Sequence, residues 1–215
     1  MTGALSGIKV IDLTSVVMGP YATQIMGDMG AEVIKVESPE GDIMRHMGVG
    51  RSKAMGPIHL AVNRNKKSLM LDLRQEAARS ALLRVIADAD VFVHAMRPAA
   101  IERLGLGYEQ VRKANPRIVY CGAYGFGKGG PYADDPAYDD MIQGVSGLCS
   151  VNAQLAGEPR FTPTIIGDKV AGLTIAYSIL GALFHKFRTG EGQSIEVPMF
   201  EALTSFMMIE HMWMR

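Results

Sequence analysis

Cysteine is scarce in this chain. Cys121 and Cys149 are the 2 cysteines in 215 residues, too few for a disulfide framework or a metal cluster. A reducing, cytoplasmic setting is the simplest expectation. Net charge is lacking too. The 22 Lys and Arg are matched by 22 Asp and Glu, which leaves no broad electrostatic case for nucleic acid or an acidic membrane. The longest apolar stretch, Val170 to Phe184, is interrupted by Thr, Tyr, Ser and Gly and is short for a membrane span. The 5 histidines are scattered without ligand spacing, so no metal site is expected. No signal-peptide pattern, internal repeat or low-complexity segment is visible. What remains is a chain with 48% hydrophobic and 20% charged residues, the balance of a soluble globular protein long enough for one α/β core.

Short β-type runs alternate with helical ones. Strands are expected at Lys9 to Leu13, Glu32 to Glu37, Ser68 to Leu73, Val91 to Ala95, Arg117 to Ala123 and Ser194 to Val197. Helices are expected at Pro20 to Met29, Gln75 to Ala87, Ala99 to Leu104, Tyr108 to Asn115, Asp168 to Phe187 and from Met199 onward. Gly30 supplies a helix stop, and Ser38 to Pro57 reads as a Gly- and Pro-punctuated loop. Strands separated by helices imply right-handed crossovers and a parallel sheet covered on both faces. The fold class is α/β, in a single domain.

Two local patterns bear on chemistry. Gly125, Gly127 and Gly130 satisfy G-x-G-x-x-G after a strand, but PYADDPAYDD follows. A dinucleotide site needs a helix to open there, and these acids would repel phosphate, so the match is read as accidental. Asp168 opens a long apolar helix behind a short apolar run and a Gly. It can cap that helix, or act as a carboxylate nucleophile at the edge of the sheet. The residue alone leaves both open.

Several segments carry a resemblance. They are LSGIKVIDLTSVVMGPYATQIMGDMGAEVIKVESPEGD from Leu5 to Asp42, NRNKKSLMLDLR from Asn63 to Arg74, and ADVFVHAMRPAAIERLGLGYEQVRKANPRIVY from Ala89 to Tyr120. YDDMIQGVSGL from Tyr138, IGDKVAG from Ile166 and RTGEGQSIEVPMFEAL from Arg188 continue the series. In this order the chain resembles the family III coenzyme A transferases. The resemblance implies a Rossmann-like parallel sheet with helices on both faces, and Asp168 falls where that family keeps its catalytic aspartate. It implies coenzyme A contacts from Ser15, Val17 and Met18 after the first strand. The Asn63 to Lys67 turn, with Asn65 and Lys66, would lie against adenine and the ribose phosphate. Met96 and Arg97 after the fourth strand, and Arg103 toward the diphosphate, complete the set; a surface ion pair between Arg103 and Glu102 is the alternative. In some members a His and a Gln replace Ser15 and Val17, so an oxalate-type substrate is not implied. Tyr138 stands where a racemase branch has a His, which favours transfer over racemisation; the resemblance implies that it contacts the acyl-CoA in the acyl pocket, and simple packing is its other reading.

The implied reaction moves coenzyme A from an acyl-CoA to a carboxylic acid through aspartyl intermediates, with no metal and no tightly bound cofactor. An acyl-CoA racemase or isomerase, or a non-catalytic CoA-binding subunit, are the alternatives. Members of the family are considerably longer, and HMWMR ends inside a helical pattern. Residues 1–215 are therefore expected to be the N-terminal portion of a large domain, the second half being absent, whether as fragment, split subunit or truncated product. A homodimer or a complementing subunit is the expected partner.

Overall fold

The structure, a computed structural model, describes residues 3–213. The chain alternates as the hydrophobic pattern requires. β1 (Lys9–Leu13) leads to α1 (Met18–Asp28), then β2 (Glu32–Glu37). A 3-10 turn at Ile43–Arg45 and α2 (Pro57–Val62) precede β3 (Lys66–Met70). Next come α3 (Glu76–Ala87), β4 (Val91–His94), α4 (Pro98–Arg103), α5 (Tyr108–Ala114) and β5 (Val119–Gly122). The rest is α6 (Asp139–Val145), α7 (Leu148–Ala156), α8 (Ile166–Thr189), β6 (Gln193–Glu196) and α9 (Met199–Trp213).

The 6 strands form one sheet in the order β3-β2-β1-β4-β5-β6, and every pairing is parallel. Side chains alternate across it, as a period of two demands. Val10, Val91, Val93, Val119 and Cys121 face one layer, built largely from α1, α8 and α9. Ile11, Phe92 and Tyr120 face the other, with Leu82 and Ile86 of α3, Ile101 of α4 and Val111 of α5. The chain works outward from β1 to β3, then returns to place β4 on the other side of β1. The connections that leave the adjacent carboxyl ends of β1 and β4 therefore diverge, and open sheets bind ligands at such a reversal.

Beyond shifts of one or two residues at element ends, such as β5 at Val119–Gly122 and α1 from Met18, several features differ from the sequence expectation. β3 begins at Lys66 and stops at Met70 rather than running from Ser68 to Leu73. It is an edge strand, and the two lysines at its start belong to the ladder, as charges at a sheet edge commonly do. Helices α2, α6 and α7 were not anticipated, because they are short and lie in Gly- and Pro-flanked stretches that read as loop. α8 opens at Ile166, earlier than Asp168, and runs 24 residues. Its length and composition would suffice to cross a bilayer. In the fold it lies against the sheet as a core helix, with Ala171, Ile175 and Ile179 fully buried. Gly30 is the helix stop foreseen: its φ is 101°, a region that favours glycine.

Candidate active site at the carboxyl edge of the sheet

Two adjoining concavities lie where β1, β2 and β4 end. One, of ≈ 290 Å³, is lined by Thr14, Ser15, Ser38, Gly41 and Met96. Its neighbour, of ≈ 410 Å³, shares Leu13, Ser38 and Met96 and adds Leu73, Arg74 and Leu104. Ser15 and Met96, predicted from different segments, thus meet across the sheet reversal. A larger concavity lies elsewhere: ≈ 760 Å³ between α8 and α9, lined by Leu173, Tyr177, Pro198, Ala202 and Phe206. It is predominantly apolar, and Asp168 lines neither it nor the two concavities at the sheet edge; the hydrogen bond from Met18, at the start of α1, sets Asp168 beside the turn that follows β1.

Asp168 is not an N-cap. Ile165 holds that position without a side-chain hydrogen bond, and Asp168 lies in the first turn of α8. Its Oδ1 instead accepts 3.0 Å from the backbone N–H of Met18, the first residue of α1. The carboxyl is thus shared between the starts of two helices, both of which favour negative charge. Its own backbone N–H donates 3.1 Å to Asp139 Oδ1 of α6, and Gln143 Nε2 holds Asp139 Oδ2 at 2.7 Å. Burial, then the Asp139 charge, push Asp168 from 3.8 up to about 6, against the Met18 N–H, which favours ionisation. A buried carboxylate with a raised pKa, held at the starts of two helices, is a candidate for chemistry.

The other predicted residues separate into groups. Val17 caps α1 and Met18 opens it, both buried. Arg97 Nη1 donates 2.9 Å to the Asp134 carbonyl. Arg103 is exposed in the last turn of α4, while Glu102 folds its carboxyl over Gly107. Tyr138, 66% exposed, precedes α6. The Asn63 to Lys67 turn requires correction. It lies at the amino end of β3, opposite the strand ends that carry Ser15 and Met96. The Lys66 side chain is buried and its ammonium is fully engaged: by Asp12 Oδ2 at 3.0 Å, Pro20 O at 2.8 Å and Asn63 Oδ1 at 2.9 Å. It has no donor left for a phosphate. Asn65 Nδ2 donates 2.6 Å to Asp28. The segment 125–138 contains no helix, in keeping with the rejection of a dinucleotide loop.

A buried charge network underlies β1, and sequence reasoning missed it. Asp12 accepts from Thr14 and Thr23 as well as Lys66. Lys35 sits 2.9 Å from Asp42. Burial opposes ionisation of Asp12, but Lys66, Lys35 and the two threonines hold its carboxyl well below the usual range. Desolvation, partly offset by Asp12, lowers Lys66 to about 8. The acid of the YDD segment and the Asp that ends SPEGD were the available signals for Asp139 and Asp42. Neither can be told from a surface acid without the fold.

The chain matches the family described as CoA-transferase family III over residues 5–215. It is 41% identical to an acyl-CoA transferase of Fusarium pseudograminearum, over 95% of this chain and 47% of that protein. It is 37% identical to the succinate–glutarate CoA-transferase of Agrobacterium fabrum, over 97% of this chain and 54% of that one. The crystal structure of a CaiB/BaiF family protein from Brucella suis superposes with a TM-score of 0.93 at 35% identity, covering 99% of this chain and 57% of that one. The chain spans about half the length of the curated relatives it matches.

Proposed function

Because this chain belongs to CoA-transferase family III, we propose that it carries the nucleophile and part of the coenzyme A site of an enzyme that moves CoA from an acyl-CoA to a carboxylic acid. The observation that carries this reading is the buried Asp168 carboxyl, held by the Met18 N–H at the start of α1, just after the turn that leaves β1. At pH 7 to 8 a group titrating near 6 is ionised, yet more basic than an ordinary aspartate. Its attack on the thioester carbonyl forms an acyl-aspartyl anhydride and releases CoA thiolate. That step neutralises Asp168 and so relieves repulsion from Asp139.

The thiolate then adds to the aspartyl carbonyl and expels the donor carboxylate, leaving an aspartyl-CoA thioester. The negative charge of this addition develops on an Asp168 oxygen, where the Met18 N–H can stabilise it. The acceptor carboxylate attacks the thioester and releases the thiolate again. Final attack of the thiolate on the acceptor acyl group yields the new acyl-CoA and free Asp168. Both intermediates stay activated, so no external energy source is required. Ser15, Val17, Met18, Met96, Arg97 and Arg103 are assigned to CoA, the guanidinium of Arg103 to its diphosphate. Asn65 and Lys66 are withdrawn as side-chain contacts. A cytoplasmic setting belongs to the same proposal.

The test is chemical trapping. The protein, with the remainder of the family chain supplied if needed, is incubated with acyl-CoA and hydroxylamine. A hydroxamate at Asp168 is expected. Asp168→Asn is expected to lose transfer by roughly 1,000-fold or more while retaining CoA binding. Near-normal transfer in that variant would remove the reading.

A further inference from the structure

The turn between β1 and α1 is strained at Val16, where φ is 70°. A β-branched side chain is a true outlier in that region, and such conformations persist only where the surroundings over-determine them. Here the surroundings are a dry ion pair. The Lys35 and Asp42 side chains are 2% and 1% exposed, with Nζ and Oδ2 2.9 Å apart. Lys35 Nζ donates 2.8 Å to the Thr14 carbonyl. Asp42 Oδ1 accepts from the Val16 N–H at 3.3 Å and from Met44 N at 3.0 Å. Asp42 is itself anchored: its backbone N–H donates 3.0 Å to Glu37, and Glu37 takes a two-point contact from Arg45 at 2.6 and 2.7 Å.

We propose that Lys35 and Asp42 are positioning residues, whose paired charges clamp the turn on either side of Ser15 and so hold the Met18 N–H against Asp168. Neither touches Asp168; they act through Val16. The inference rests on the reading of Asp168 as nucleophile for its kinetic consequence, though not for its geometry. A buried ion pair can often be exchanged for apolar residues without loss of stability. What an apolar pair cannot supply is a donor to Thr14 O and an acceptor for Val16 N on one turn. The pair therefore orders the site more than it stabilises the fold. Released from it, Val16 would return to the ordinary φ range and carry the Met18 N–H away from the carboxyl.

The experiment compares three variants with wild type: Lys35→Met/Asp42→Leu, Val16→Pro and Val16→Gly. The readouts are acyl-Asp168 formation, CoA affinity, and exchange protection of the Met18 amide. The double variant and Val16→Pro, which cannot adopt φ 70° or donate to Asp42, should acylate about 100-fold more slowly, with weaker CoA binding as well, since Ser15, Val17 and Met18 lie on the same turn. Both should lose Met18 protection. Val16→Gly adopts the same φ without strain and should keep the wild-type rate. Val16→Pro carries the test if the double variant fails to fold. Unchanged Met18 protection and acylation in Val16→Pro would overturn the clamp and leave the nucleophile intact. Absence of acyl-Asp168 in wild type would instead sink the nucleophile, and the clamp would then stand or fall on Met18 protection alone.

Discussion

Asp168 and Lys66 show how far a residue can be judged from its neighbours in the chain. Asp168 looked like a cap or a nucleophile, and the cap reading fails because the carboxyl turns to Met18, 150 residues away. Its cost to the fold has a definite sign. The folded pKa of about 6 lies above the ordinary 3.8, so folding favours the protonated form. That contribution is complete below pH 4 and is lost as pH rises through 6, where the buried charge becomes a liability. Asp168→Asn should therefore be more stable than wild type by about 1–3 kcal/mol at pH 8, with the difference vanishing near pH 3. Denaturant titration across pH measures it. Lys66 reads in sequence as a solvated lysine suited to phosphate. Its side chain is 2% exposed, paired with an Asp12 side chain at 0%. Lys66→Ala should cost about 3–5 kcal/mol, because it strands a buried carboxylate. A variant of wild-type stability with weakened CoA binding would restore the phosphate reading.

Elements were legible wherever a strong period ran for several residues. Strands β1 and β2 fall at the expected bounds, since KVIDL and EVIKVE are short runs rich in β-branched residues, buried on both faces. Helices α2, α6 and α7, of six to nine residues, were not legible, because so few turns give little period to read and Gly56, Gly147 and Gly157 at their ends mark the surroundings as loop. The start of α8 was misjudged because Ile166 and Gly167 read as a short apolar run and a Gly ahead of the helix. The junction of α8 with α1 is the contact on which the site depends. A Cβ at Gly172 would meet the Met18 carbonyl at 2.8 Å and Tyr21 Cδ1 at 2.9 Å. Gly172→Ala should force the two helices apart, at a cost of about 1–3 kcal/mol. The same displacement should draw Met18 from Asp168 and slow acylation more than it weakens CoA binding. Equal stability and full activity in that variant would show that the junction can give without consequence.

For the whole molecule, the sheet and its two helical layers followed from the alternation of strand and helix, but the pairing partner of each strand did not. The parallel class was readable because helices intervene. The meeting of Ser15 with Met96 rests on β4 returning to β1, which local sequence does not specify. The outer faces of α8 and α9 are unusually apolar: Tyr177, Phe184, Phe187, Phe206, Ile209 and Trp213 are all more than half exposed. So large an apolar surface marks an interface or an aggregation risk. The 215-residue chain should therefore self-associate or bind a second polypeptide, as sedimentation at several concentrations would show. A monomer at every concentration, with full transfer activity, would argue against both.

The span between Met18 and Asp168 also sets a clock. During synthesis the first strand and helix emerge long before the segment that completes their function. β1 pairs with β2 early, but its other edge stays open until β4 arrives about 80 residues later, and α8 follows later still. Closing such distant contacts is slow, because loop entropy must be overcome before they are rewarded. Competence for chemistry should therefore be among the last properties a nascent chain acquires. Pulse-labelled refolding should protect the β2 amides before that of Met18, and a Met18 amide protected first would reverse the order.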